Sequence, residues 1–202
     1  MTWDFLEPAE DGDDRLGLAA SFRRVPGGAA AYFEEAQAGV IRSLVSQIAE
    51  LVSADSTAAE AAETGQDDAV EAELGLSSHA EPPEDPVLAR LLPDGYRDDP
   101  GASAEFRRYT EESLRSGKVT SAQTVLASLP SAGGEVLLSE PECQQWLRAL
   151  NDVRLALSVR LGITDENEDL SEHLTADDPR SAYVWVYQWL AYLQDSLIEA
   201  MA

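Results

Sequence analysis

Few residues in this sequence could do chemistry, and the first of them is a lone thiol. Cys143 lies near the start of a helix, where the helix dipole lowers a thiol's pKa and favours a redox-responsive role. Against that, Glu140 and Glu142 oppose a thiolate, and Trp146 and Leu147 place Cys143 on an apolar stripe where cysteine is buried and inert. Asp165, Asn167 and Asp169 put oxygen ligands at positions one, three and five of a calcium-type loop. Leu170 occupies the sixth position, which needs Gly, and Ala176 the twelfth, which needs a bidentate Glu, so a solvated acidic loop is expected there. His79 and His173 have no ligand partner at metal spacing, and neither a phosphate-cradling glycine loop nor a nucleophile elbow is present. The expectation is a protein without metal, cofactor or catalytic group, and so not an enzyme.

The basic residues are the second set. Arg107, Arg108, Arg115 and Lys118 cluster on one stretch, while Arg154 and Arg160 lie toward the C-terminal half of another, where positive charge suits the helix dipole. Two readings stand side by side: ion pairing with nearby acids such as Glu105, Glu111 and Glu112, or a basic face for an acidic partner.

The elements that must carry these residues are mostly helical. The central one runs from Ser139 to Gly162. Ser139 with Glu142 is a capping box, Cys143, Trp146, Leu147, Leu150, Val153, Leu157 and Leu161 repeat at helical spacing, and Gly162 suits the left-handed stop. Earlier, Pro26-Gly27-Gly28 between Ala20–Val25 and Ala29–Phe33 predicts a short β-hairpin. Phe33, Ala36, Val40, Leu44, Ile48 and Leu51 predict an amphipathic helix ending near Val52. Pro86–Leu92 reads as two helical turns stopped by Pro93. Asp99-Pro100 opens a helix with the stripe Ala102, Phe106, Tyr109 and Leu114, and Gly117 is expected to break it before a second piece bearing Val119, Ala122, Val125, Leu126 and Leu129. Glu135–Leu138 is a short extended lead into the central helix. Asp178-Pro179 should start the last helix by the same capping logic as Asp99-Pro100. That helix is apolar over two stripes, Tyr183, Val186, Leu190, Leu193, Leu197 and Trp185, Trp189, Tyr192, which demands a central position or a partner such as a second copy.

Charge bounds the rest. The formal net charge is −24 over 202 residues, unevenly spread. Of the 38 acids, six fall in residues 1–14 and ten in residues 54–89, stretches without Lys or Arg, leaving 22 against 14 bases, a balance of −8. Residues 1–14 read as an acidic tail in which Trp3 and Phe5 could dock. Residues 54–85, poor in aromatics and rich in Ala, Glu, Asp and Ser, read as a disordered acidic linker between residues 15–53 and 86–202 of one domain. The acidic balance argues against binding phosphates or anionic membranes. One cysteine excludes an internal disulfide and fits a cytoplasmic setting, as does an acidic N-terminus unlike a secretory signal.

Three blocks carry a family resemblance: RLLPDGYRDDPGASAEFRRYTEESLRSGK (Arg90–Lys118), WLRALNDVRLALSVRLGIT (Trp146–Thr164) and VYQWLAYLQDSLIEAM (Val186–Met201). Together they resemble an actinobacterial family first catalogued as a domain of unknown function, commonly encoded beside the ClpS adaptor, with members named oxidative-stress transcriptional regulators of the AosR type. The resemblance implies a small cytoplasmic helical protein acting on transcription. Redox sensing in that family is associated with a cysteine pair; with Cys143 alone, sensing here would need an intermolecular disulfide or another route. No strongly basic recognition helix is present, so contact with RNA polymerase or a sigma factor is physically easier than autonomous DNA binding. The alternatives are an adaptor linked to Clp proteolysis, with ClpS as partner, and a structural homodimer joined along Trp185, Trp189 and Tyr192. The expected fold is mainly α: a bundle of four to five main helices with a short N-terminal β-hairpin.

Overall fold

The turn at Pro26-Gly27, with Gly27 at φ 84°, folds β1 (Arg23–Val25) back on β2 (Gly28–Phe33) as the expected hairpin. The structure is a computed structural model that describes residues 20–62, 81–96, 98–163, 178 and 180–202. The extended lead before the central helix is β3 (Gly134–Ser139), which pairs antiparallel with β2 from Phe33↔Gly134 to Gly28↔Ser139. The sheet thus has three strands in the order β1-β2-β3. Gly28 is required where the strands meet, because a Cβ there would overlap the Leu138 carbonyl oxygen. Alternation sends Ala29, Ala31, Phe33, Val136 and Leu138 inward and leaves Tyr32 and Leu137 exposed.

Five helices among the described residues build the rest of the fold. α1 spans Glu35–Ala62, ten residues beyond the expected end at Val52 and nine into the stretch expected to be a linker. Its extension, SADSTAAEAA, is rich in the strongest helix formers, so propensity carries the helix past its last core residue. α2 (Pro86–Leu91) starts on Asp85, whose carboxylate accepts from the N–H groups of Val87 and Leu88 at 2.7 and 3.2 Å. α3 runs unbroken from Pro100 to Ser128, with the Asp99 carboxylate accepting from the Ala102 N–H. Gly117 does not divide it: one glycine costs about 1 kcal/mol in a helix, and packing of both flanks offsets that. α4 (Glu140–Leu161) is the predicted central helix. The Glu142 carboxylate accepts from both the N–H and the hydroxyl of Ser139, at 2.8 and 2.6 Å, and these bonds lower its pKa. Gly162 closes the helix at φ 66°.

α5 spans Ser181–Met201. The expected Asp178 cap is absent: Asp178 instead accepts from the backbone and guanidinium of Arg180, which hold its carboxyl at about 2, and the helix starts from Arg180 without a side-chain cap. The acidic tail with Trp3 and Phe5, most of the acidic stretch (residues 63–80), His79, His173 and the calcium-type loop lie outside the described residues.

The core centres on α4. The Trp146 ring stacks on Phe33 (centroids 5.9 Å apart, 15° between planes) and meets Phe22 edge-on at 5.5 Å, while its indole N–H donates to Ser128 Oγ at 2.9 Å. Leu150, Val153 and Leu157 continue the buried stripe, faced by Leu44, Val45 and Ile48 of α1, Val125 of α3 and Leu190, Leu193 and Leu197 of α5. Among the described residues, no helix is long and apolar enough to cross a membrane.

Candidate functional site

Cys143 is fully buried, its thiol 4.0 Å from the Leu138 carbonyl oxygen. Burial pushes its pKa up, Glu142 and Glu140 add to the rise, and a hydrogen bond from the Ala29 backbone only partly offsets it. The inert reading of this thiol is the one the geometry favours.

The predicted basic residues do not form one face. Arg107 and Arg115 are buried on α3, with Glu111 between them, itself only 2% exposed. One carboxylate oxygen of Glu111 accepts from Arg107 Nη1 at 2.8 Å; the other accepts from Arg115 Nε at 2.9 Å and Nη2 at 2.7 Å. Arg107 also donates to Asp94 (2.7 Å) and the Leu92 carbonyl, and Arg115 to the Val52 carbonyl (2.8 Å). Burial works against the Arg107 charge, but Glu111 and Asp94 outweigh it and hold the pKa above its ordinary value. Lys118 pairs with the buried Asp152 of α4 at 2.7 Å; burial raises the Asp152 pKa, and Lys118 restrains the rise. Arg154 lies between α4 and α5, donating to Gln194 at 2.6 Å with its guanidinium 5.1 Å from the Tyr187 ring centre. Arg160 approaches Asp85 at 3.9 Å. Of the six, Arg108 alone is exposed with no ion pair among the described residues.

The aromatic stripe of α5 also divides. Trp189 is buried in the core, with no hydrogen-bond partner for its indole N–H among the described residues, while Trp185 and Tyr192 are about half exposed. A seam through all three residues is therefore not available; two of them reach the surface.

The largest departure from expectation lies on the first half of α3. The apolar stripe Ala102, Phe106, Tyr109 and Leu114 was expected to face the core. Instead Ser103, Arg107, Glu111 and Arg115, spaced four apart, are buried, and Phe106, Tyr109 and Leu114 are 43%, 63% and 45% exposed. The cause is the neighbourhood. This half of α3 packs against α1 and the turn after α2, where Arg115 donates to the Val52 carbonyl, Arg107 to the Leu92 carbonyl, and the buried Glu111 between them balances both charges, contacts that leucine could not make. Ser103 does the same, exchanging hydrogen bonds with the backbone of Tyr96. The sequence signal was the unbroken row of Ser103, Arg107, Glu111 and Arg115, but opposite charges four apart are also the mark of a solvated helix face.

No cluster of three metal-binding side chains occurs among the described residues. A cleft of about 650 Å³ between the hairpin turn, the start of α4 and the end of α5 is lined by Arg24, Pro26, Gly27, Glu140, Pro141 and Gln144 among others, with no nucleophile beside a base.

The family described as "Domain of unknown function (DUF2017)" matches residues 19–201. Proteins named "Oxidative stress regulator AosR" in Mycobacterium bovis and Mycobacterium tuberculosis are 38% identical over 135 residues, 60% of this chain. The match spans 61% of those relatives' own length. A "Putative oxidative stress regulator AosR" of Mycobacterium leprae is 36% identical over 148 residues, 66% of this chain and 67% of the relative. No solved structure matches. With nearly its whole length matched, the chain belongs to the DUF2017 family, to which the resemblance to AosR-type proteins had pointed.

Proposed function

We propose that this protein regulates the response to oxidative stress, acting on transcription by binding RNA polymerase or a sigma factor and not by catalysis or autonomous DNA binding. The relatives' name supports the first part. The observation that carries the second is the fate of the α3 bases: Arg107, Arg115 and Lys118 are committed to Glu111, Asp94 and Asp152. A DNA-binding surface needs free cations to displace counterions from phosphates, and these are neutralised within the fold. The burial of Cys143 supports a protein that receives the oxidative signal through its partner and not through its own thiol.

The test uses the purified full chain, promoter fragments of peroxide-responsive genes, and RNA polymerase with and without its sigma factors. Expected is retention of polymerase or a sigma factor on immobilised protein, and no DNA shift by the chain alone at moderate salt. A DNA shift by the chain alone whose affinity falls steeply with salt would refute the protein-contact route. Retention of Clp components with no effect on transcription would replace it with a role in proteolysis.

A further inference from the structure

We infer that Tyr96, Phe106, Tyr109 and Leu114 form the seat for a basic amphipathic helix of a partner protein; this rests on the protein-contact reading and names the surface and the chemistry it takes. Four large apolar side chains exposed along the approach to α3 and its first half are a costly arrangement for an isolated surface, and patches of this kind mark binding sites. The patch is also built. Tyr96 meets Phe106 edge-on with ring centres 6.0 Å apart, and Phe106 lies against Gly95 so closely that a Cβ there would sit 2.7 Å from its Cδ1. The Arg107–Glu111–Arg115 ladder fixes the rotation of α3, with Phe106 and Tyr109 turned away from it and Leu114 at its edge.

The spacing suits a helix. Phe106 and Leu114 are two turns apart, about 12 Å along the axis, and residues three, four and seven apart on a partner helix present anchors over that distance. Charge decides what kind of helix. Glu105 and Glu112 stand four residues before and three after Tyr109, both exposed and without an ion pair among the described residues. Arg97, Asp98 and Asp99 follow Tyr96 on the chain, the Asp99 carboxylate being taken up as the α3 cap, and Arg108 is the one exposed base on this part of α3. A second copy is disfavoured because it would bring Glu105 and Glu112 against their own kind on a chain of net charge −24.

The test uses the full chain and three labelled 18-residue helical peptides with the same leucine face and a second face of Lys, Gln or Glu, followed by fluorescence anisotropy. Because an acidic protein attracts any cationic peptide, the decisive comparison is between variants of equal charge. Tyr109→Ser/Leu114→Ser should weaken the Lys peptide at least tenfold with an unchanged thermal midpoint, whereas Trp185→Ser/Tyr192→Ser should leave affinity unaltered. Glu105→Gln/Glu112→Gln should weaken it several-fold and reduce its salt dependence. Equal binding by wild type and Tyr109→Ser/Leu114→Ser overturns the assignment, as does preference for the Gln or Glu peptide. Sedimentation showing a dimer that Tyr109→Ser/Leu114→Ser dissolves would make a second copy the occupant and also overturn it. The capture of polymerase or sigma factor separates this from the wider reading: capture retained by Tyr109→Ser/Leu114→Ser sinks the surface but keeps the protein-contact function.

Discussion

Replacing Glu111 by Gln changes one oxygen to nitrogen at the most buried charge among the described residues, and the structure indicates how much that costs. The carboxylate accepts three hydrogen bonds from two guanidinium groups, all at 2.7–2.9 Å, and is 2% exposed. Glutamine keeps the volume and one acceptor oxygen, so at least one of the bonds is lost and a donor NH₂ is placed among donors. Removing one partner of a buried ion pair costs about 3–5 kcal/mol, and the remaining acceptors (Asp94 and Leu92 O for Arg107, Val52 O for Arg115) put this site near ~3 kcal/mol. With a urea slope of about 2 kcal/mol per molar, the unfolding midpoint should fall by roughly 1.5 M. Tryptophan fluorescence reports it, since Trp146 and Trp189 sit in the core. The loss should persist in 1 M salt, because a buried pair is weakly screened. The fully apolar replacement Arg107→Met/Glu111→Leu/Arg115→Met should cost less than the single change, about 1–2 kcal/mol, because the one charge it strips of a partner, Asp94, is 44% exposed and water can solvate it, while the Leu92 and Val52 carbonyls each lose only a guanidinium donor. A single-variant loss under about 1 kcal/mol, or a triple variant worse than the single, would refute the claim that this ladder is what turns α3 inside out.

Three further outcomes are expected. Leu150→Asp should abolish the cooperative transition seen by circular dichroism, because it sets an unpaired carboxylate in the middle of the α4 stripe; native-like melting would dismantle the placement of that helix at the centre. Cys143 should react with a thiol-specific disulfide reagent at mildly alkaline pH at least a hundredfold more slowly in the native protein than in urea, and Cys143→Ala should leave peroxide sensitivity unchanged; fast native labelling would reopen the thiol as a sensor. Asp152 has a folded pKa raised above 3.8, so its contribution is fully present below that value and is lost as pH rises through the folded pKa. Urea melts of wild type and Asp152→Asn across the acidic range should accordingly show the wild type losing ground to the variant as pH climbs from below 4; the opposite slope would mean that Lys118 outweighs burial.

What could be read in advance followed the range of the forces involved. α4 was legible from Ser139 to Gly162 because its capping box, apolar stripe and stop signal all lie within one stretch. The hairpin was legible from Pro26-Gly27-Gly28, but the pairing of β2 with β3 joins residues more than a hundred positions apart, and nothing local announces it. The α5 start was misplaced because Asp178 found Arg180 two residues on, a competitor that the Asp-Pro pattern does not reveal. α3 was misread for a deeper reason. Phe106, Tyr109 and Leu114 have the spacing of a core stripe, and Arg107, Glu111 and Arg115 that of a solvated one. What reverses them is the set of partners the fold gives the two arginines, Glu111 between them, Asp94, and the Leu92 and Val52 carbonyls, the last supplied by distant sequence. Of the two readings of these bases, ion pairing is the one that describes Arg107 and Arg115, which Glu111 and Asp94 hold.

The contacts between the hairpin and α5 have a consequence for the order of assembly. The N–H of Phe22 donates to Ser196 Oγ at 3.0 Å in a buried position, and Arg24 Nε donates to the Ala200 carbonyl at 3.2 Å. During synthesis the hairpin leaves the ribosome before α5, so the Phe22 N–H is without its Ser196 acceptor while the helices between them are made. A nascent chain stalled before Ser196 emerges should expose Phe22 and the Trp146 pocket together, a surface of the kind chaperones bind. The last turns of α5 thus act as a latch on the hairpin, holding its first strand from the far side of the sequence.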